Sequence, residues 1–169
     1  MQGLRRARPG DLAAMTDVVR RSKAHWGYDA AFLRHFHRSL AISRSDLAGG
    51  RYVVVERAGR LVGLGGRRGR VIDNLFVVPE AIGTGLGRRL LAWLLDDARR
   101  AGLAIVLVDS DPFAVGFYRR MGGRPVGWTR SPWPGDPERR LPRLRLVTAR
   151  RGTAGDRARP RRRRARSDR

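Results

Sequence analysis

Residues 75–95 read LFVVPEAIGTGLGRRLLAWLL. An apolar, strand-like run closes at Pro79, glycines follow at the alternate positions 83, 85 and 87, and Leu86, Leu90, Leu91, Leu94 and Leu95 then recur at helical spacing. Glycine at every second position leaves backbone N–H groups uncovered by side chains and lets the chain turn sharply into the helix that follows. Such a loop suits an anion, phosphate above all, because the first amides of a helix lack intrahelical acceptors and lie at the positive end of its dipole. Two familiar phosphate loops are excluded. A dinucleotide fingerprint beginning at Gly83 needs its third glycine where Arg88 stands, and a Walker A loop needs Lys and then Ser or Thr where Arg88 and Arg89 follow Gly87.

Working outward, residues 2–7 predict a strand, and Leu12, Met15, Val18 and Val19 a helix. Asp29 stands where it can cap a second helix through AAFLRHFHRSL, after the aromatic loop KAHWGYD. RYVVVER and LVGLGG, joined at Ala58-Gly59-Arg60, predict a hairpin, and VIDNLFVV a third strand running into the glycine loop. The helix after the loop should end near Gly102. The continuously apolar LAIVLVD then predicts a strand covered on both faces, with Asp109 at its end. Asp111 and Pro112 open a short helix that stops at Met121-Gly122-Gly123, and strands around Arg124–Trp128 and Arg140–Val147 close the pattern.

The 169 residues, 41% of them apolar, suit one domain over residues 1–148. From Ala149 to Arg169 no apolar side chain larger than alanine occurs, so this Arg-rich tail is expected to be disordered. The net charge of +22 is uneven, since the tail holds ten arginines against Asp156 and Asp168. Lys23 is the only lysine among 37 basic residues, a bias that a GC-rich genome explains as readily as phosphate binding does. The basic surface still implies nonspecific contact with polyanions through the tail. Cysteine is absent, which excludes disulfides, Cys-zinc sites and a cysteine nucleophile, and the clustered His25, His35 and His37 do not argue for a metal. No secretory signal and no membrane-length apolar run is evident, so a cytoplasmic protein without membrane contact is expected.

Two motifs carry a family resemblance. Ile82-Gly83-Thr84-Gly85-Leu86-Gly87 follows an apolar strand, and Asp111, Ala114, Tyr118 and Gly122 recur at fixed spacing beyond the next one. Together they resemble the GNAT-fold (GCN5-related) N-acetyltransferases over residues 4–147. The resemblance implies an α/β (α+β) domain: a mixed, mostly antiparallel central sheet of about six or seven strands flanked by about four helices, splayed at the strand before the glycine loop. It implies acetyl-CoA as co-substrate, no metal, and a small-molecule or protein amine as acceptor partner. Quaternary structure is open, a homodimer included.

Carried residue by residue, the resemblance places the acetyl-CoA pyrophosphate on Gly83, Thr84, Gly85, Leu86 and Gly87. The usual Arg or Gln of the first motif position is Ile82 here, a loss for which Arg88 can compensate. The backbone of Phe76, Val77 and Val78 would face the pantetheine arm, with the Val77 amide on the thioester carbonyl. Asp111 falls on the cofactor-side motif, and Tyr118 matches the general acid that protonates the departing thiolate. Asp73 and Asn74 interrupt an apolar strand on opposite faces. Asp73 is a candidate base or amine anchor, with His25 its competitor and Asn74 placed toward the substrate. His25, Trp26 and Tyr28 are expected to wall the acceptor pocket with Trp128 and Trp133 opposite, or else to close the core. The alternative function is a nucleic-acid-binding protein that uses this scaffold and its basic tail, although the tail lacks aromatic residues for base stacking.

Overall fold

In a computed structural model, residues 3–39, 42–49, 51–131 and 133–148 are described. The expected disordered tail, 149–169, lies outside them. Seven strands form one sheet: β1 (Gly3–Arg6), β2 (Tyr52–Arg57), β3 (Arg60–Arg68), β4 (Val71–Val77), β5 (Ile105–Asp109), β6 (Arg124–Arg130) and β7 (Arg140–Val147), in spatial order β1-β2-β3-β4-β5-β7-β6. Every neighbouring pair is antiparallel except β4 and β5, which are parallel. A parallel pair needs a crossover. Here the crossover is helix α4 (Leu86–Arg100), the helix that opens from the glycine loop.

The remaining helices are α1 (Leu12–Ala24), α2 (Ala30–Ser39), α3 (Arg44–Ala48) and α5 (Val115–Arg120), giving five where about four were expected. The unforeseen one, α3, is a single capped turn. Ser43 Oγ accepts from the Asp46 amide at 3.2 Å and Asp46 accepts in return from the Ser43 amide at 2.9 Å, a capping box that the spacing Ser43-x-x-Asp46 already contains. Asp29 caps α2 as expected, accepting from the Phe32 amide at 2.7 Å.

Helices α1 and α4 both pack on β3 and β4 and cover opposite faces of the sheet. Val53, Val54 and Val55 are fully buried, so β2 is covered on both sides. Leu86, Leu90, Leu91 and Leu94 form the buried stripe of α4, contributing roughly 1.5–3 kcal/mol apiece. The glycine-rich sequence of β3 explains how closely that helix lies. A Cβ on Gly63 would stand 3.1 Å from Leu90 Cδ1, and one on Gly65 3.0 Å from Leu94 Cδ1. Gly102 ends the helix at φ +77°, with the Leu103 amide bonded back to the Ala98 carbonyl at 3.0 Å.

One expectation needs correction. Strand β5 is not covered on both faces: Val106 and Val108 are buried against Leu146 and Leu144 of β7, but Ile105 is 41% exposed and its cross-strand neighbour Val147 is exposed too. Among the described residues that end of the second face is left exposed, so the apolar run does not mark burial there. Among the described residues no helix is long and apolar enough to cross a membrane.

Candidate active site

The site begins where β4 leaves β5. The two strands pair only at Val71 with Leu107 and Ile72 with Val108, whereas β4 stays paired with β3 as far as Val77 opposite Gly63. Asp73 is an extra residue in that ladder, because Gly66 pairs with Asn74 but Arg67 pairs with Ile72. Such a bulge switches which side of the strand each backbone group faces. The Val78 amide donates to the Val62 carbonyl at 3.0 Å, so by alternation the groups of Phe76 also turn to β3 and those of Val77 turn to the opened side. Of the three residues expected along the cofactor arm, then, Val77 offers its backbone. Val78 has both groups engaged, its carbonyl accepting from the Ala81 amide at 2.9 Å.

The opened edge leads into the glycine loop. Gly83 and Gly85 adopt φ +81° and +82°, left-handed values that glycine takes without strain, and Gly85 caps α4. A Cβ at either position would meet nothing within 4 Å, so these glycines serve backbone conformation and an open approach from solvent. Gly87 differs: its Cβ position lies 3.4 Å from the Phe117 ring, a packing contact. Among the described residues no backbone carbonyl accepts from the amides of Gly83, Gly85, Leu86, Gly87 or Arg88. Thr84 departs from expectation, since its amide and hydroxyl both turn back to the Ala81 carbonyl, at 3.4 and 2.8 Å. Five amides without a backbone acceptor stand at the positive end of a 15-residue helix, a setting that suits an anion. Arg88 is exposed beside them.

Beyond β5, Asp111 caps the 3-10 turn Pro112–Ala114 that leads into α5, accepting from the Phe113 amide at 3.1 Å. Its carboxylate is bound by protein partners. Lys23 Nζ lies 2.6 Å from Oδ2, and the Tyr28 hydroxyl donates at 2.9 Å. Lys23 is only 8% exposed, and its ammonium stands 5.9 Å from the centre of the Phe76 ring on β4. Sequence reasoning passed over it, although a single lysine amid so many arginines was the available signal. Tyr118 on α5 is 5% exposed, and burial, with the Asp111 carboxylate adding to it, lifts its hydroxyl pKa far above the usual tyrosine range. The hydroxyl therefore stays protonated at every ordinary pH.

Asp73 and Asn74 have separate surroundings. Asn74 is buried and donates to the Tyr52 hydroxyl at 3.2 Å, so its amide is directed to the interior rather than to a substrate. The Tyr52 hydroxyl is pushed up to about 12 by burial and the nearby Asp73 and Asp46. Asp73 Oδ1 is buried without a hydrogen-bond partner among the described residues, while Oδ2 lies 3.6 Å from Arg68 Nε. Burial raises the Asp73 carboxyl pKa against the opposing pull of Asn74 and Arg68. A carboxylate in a bulge, half-buried and with an orphaned oxygen, is costly unless it does something.

The aromatic loop comes to the same end of the sheet. His25 is exposed and meets Trp26 edge-on at 5.0 Å; Trp26 stacks on Phe113 at 5.6 Å, and Tyr28 stacks on Phe32 at 4.0 Å. Trp133 joins through Phe32 at 5.4 Å. Trp128 does not. It is 66% exposed and lines a separate groove of about 390 Å³ with Val115, Pro125 and Pro142. Asp109 is not part of the site either, being held by Arg143 through two bonds of 2.6 and 2.9 Å.

A splayed parallel pair, an outward strand amide, a helix N-terminus of unpartnered amides and a buried tyrosine beyond it describe an acyltransferase domain. The chain belongs to the acetyltransferase (GNAT) domain family, whose profile matches residues 17–130. Among curated proteins it is similar to the IAA acetyltransferase of Azospirillum brasilense, at 37% identity over 43% of this chain and 53% of that protein, so the chain spans about half the length of that relative. Among solved structures it is similar to a GCN5-related N-acetyltransferase from Rhodopseudomonas palustris, with a TM-score of 0.74 and 21% identity over 87% of this chain and 96% of that one. It is also similar to YncA of Salmonella typhimurium, solved with its cofactor acetyl-CoA, with a TM-score of 0.65 and 20% identity over 89% and 95% of the two chains. At these identities the likeness to the solved structures is one of fold.

Proposed function

We propose that this protein transfers the acetyl group of acetyl-CoA directly to a primary amine of a small molecule or protein, without a covalent acyl-enzyme. The observation that carries the reading is the Val77 amide, turned outward on the splayed edge of β4 and continuous with the unpartnered amides of the α4 N-terminus. Family membership and the acetyl-CoA bound to YncA support it. Acetyl-CoA supplies the activated carbonyl. The loop amides hold the pyrophosphate, and the Val77 amide donates to the carbonyl oxygen as charge develops there. A nitrogen–carbon bond forms, the carbon–sulfur bond breaks, the amine proton leaves and the thiolate gains one. Tyr118 gives the proton to sulfur. Asp73 lies four residues back along β4, about 13 Å of strand at 3.3 Å per residue, and so takes the amine proton through ordered water. The absence of cysteine removes the simplest acyl-enzyme route.

Because the chain has no thiol of its own, a thiol reagent reads released CoA without background. The test is calorimetric titration with acetyl-CoA, followed by initial rates with both substrates varied over an amine panel. Binding together with intersecting double-reciprocal lines is expected. Parallel lines would overturn direct transfer, and absence of binding would overturn the assignment itself.

A further inference from the structure

The chain has four Trp, three Tyr and five Phe, and five of these twelve residues, Trp26, Tyr28, Phe32, Phe113 and Trp133, meet in one continuous cluster. They come from the α1–α2 loop, α2, the 3-10 turn after β5 and the β6–β7 connection. None of the five belongs to the contiguous apolar cluster between the sheet and its helices, and of the five only Phe32 is buried, so filling the interior does not account for the convergence of the other four. The inner end of the cluster is tied to the transfer site: the Tyr28 hydroxyl bonds to Asp111, which holds Lys23, whose ammonium lies over the Phe76 ring one residue before Val77. The outer end is open. Trp26 is 37% exposed and Phe113 54%, their planes 9° apart. The two rings cover one face of each other and leave their outer faces and edges exposed beside the transfer site, a surface on which an apolar ligand can pack.

We propose that the acceptor of this transferase carries a flat aromatic group that packs on Trp26 and Phe113 while its amine reaches toward Val77. The inference rests on the acetyl-transfer reading above. The cations already present decide which part of the acceptor the rings receive. Lys23 lies over the faces of Tyr28 and Phe76, and Arg139 over Phe32 at 5.1 Å, so the inner faces are engaged by this chain's own positive charges. Those faces are already occupied by this chain's own cations, which argues against their serving as a cage for an alkylammonium head. The outer rings offer offset stacking and apolar contact to an uncharged ring, geometry in which aromatic pairs gain more than their area alone provides.

The experiment compares 2-phenylethylamine with 2-cyclohexylethylamine, which matches it in reach and apolar bulk but lacks a flat π face. Dissociation constants are measured by calorimetry on the protein saturated with CoA, and kcat/KM by thiol release with acetyl-CoA. The aromatic amine should be favoured about 3- to 10-fold by both measures. Trp26→Ser and Phe113→Ser should each reduce that ratio toward unity while acetyl-CoA affinity, read separately, stays at the parent value and reports an intact fold. Equal affinity for the two amines, no measurable binding of either, or a preference that survives both substitutions would overturn the inference and leave acetyl-CoA binding standing. A parent protein that fails to bind acetyl-CoA would overturn the acetyl-transfer reading and this inference with it.

Discussion

Tyr118 keeps its proton because the fold leaves its ionised form no solvation: the ring is buried against Phe117 at 5.0 Å, and the neighbouring charge is the Asp111 carboxylate. Tyr118→Phe retains the ring and deletes only the donor. Turnover should fall by about 10²–10⁴-fold with thermal stability nearly unchanged, as steady-state rates and a melting curve would show. Asp73 invites a test with two readouts. If its carboxylate accepts the amine proton through water, Asp73→Asn should depress kcat/KM near neutral pH, and the deficit should shrink at high pH, where the free amine is already abundant. Stability should move the other way. Because burial raises the carboxyl pKa in the folded state, the folded chain binds the proton more tightly than the unfolded chain does. The ionised Asp73 therefore costs stability above its raised pKa, and that cost vanishes below about pH 4, where both states are protonated. Asp73→Asn should accordingly raise Tm at neutral pH and leave it unchanged in acid, measured by calorimetry across that range. The place of Tyr118 on a short helix beyond β5 was legible from its motif. The setting of Asp73 was not, because a strand pattern carries no mark of the bulge that moves this residue out of register.

At the scale of elements, the glycine loop and α4 form one device. Gly85 sits at φ +82° as the helix cap, with open space where a Cβ would go. Valine there must either adopt a conformation it disfavours or pull the loop out of shape, a strain of about 1–3 kcal/mol. It would also project a branched side chain into the approach to the amides. Gly85→Val should weaken acetyl-CoA binding at least tenfold by calorimetry, since even one missing charge-assisted hydrogen bond is worth about 1.5–3 kcal/mol. Retained affinity would place the site elsewhere. The loop could be read because glycine spacing, helix start and leucine stripe agree within a few residues. The opposite wall of the site could not. The Lys23–Asp111 contact joins residues 88 positions apart, and nothing local marks it.

For the whole molecule, part of the basic charge lies in the arginine-rich residues 149–169. Strand β7 ends at Val147, and the Thr148 amide closes onto the Ala104 carbonyl at 3.0 Å, so the described sheet is complete before the arginine run starts. Deleting residues 149–169 should leave Tm and acetyl transfer largely intact. It should weaken binding to duplex DNA and flatten its salt dependence, the slope of log K against log salt falling by roughly 0.9 for each phosphate that the shortened chain no longer neutralises. A truncated, folded protein without turnover would overturn this division. Neither the fold nor the family relatives favour nucleic-acid binding as the primary function.

The amino-acid sequence by itself determined the order of elements, the glycine loop with its helix, and the short capped helix that carries Tyr118, because turn chemistry, capping and side-chain periodicity act within a few residues of chain. Only the tertiary structure decided that Asp111 faces Lys23 and Tyr28, that β5 is exposed at Ile105, that Val77 rather than Val78 presents its amide to the open edge, and that Trp133 joins the aromatic cluster while Trp128 does not. Each of these depends on which strand leaves which and on where a single bulge falls. Such outcomes follow from the packing of residues far apart in the chain, and a one-residue change of register reverses the side to which a strand directs its groups.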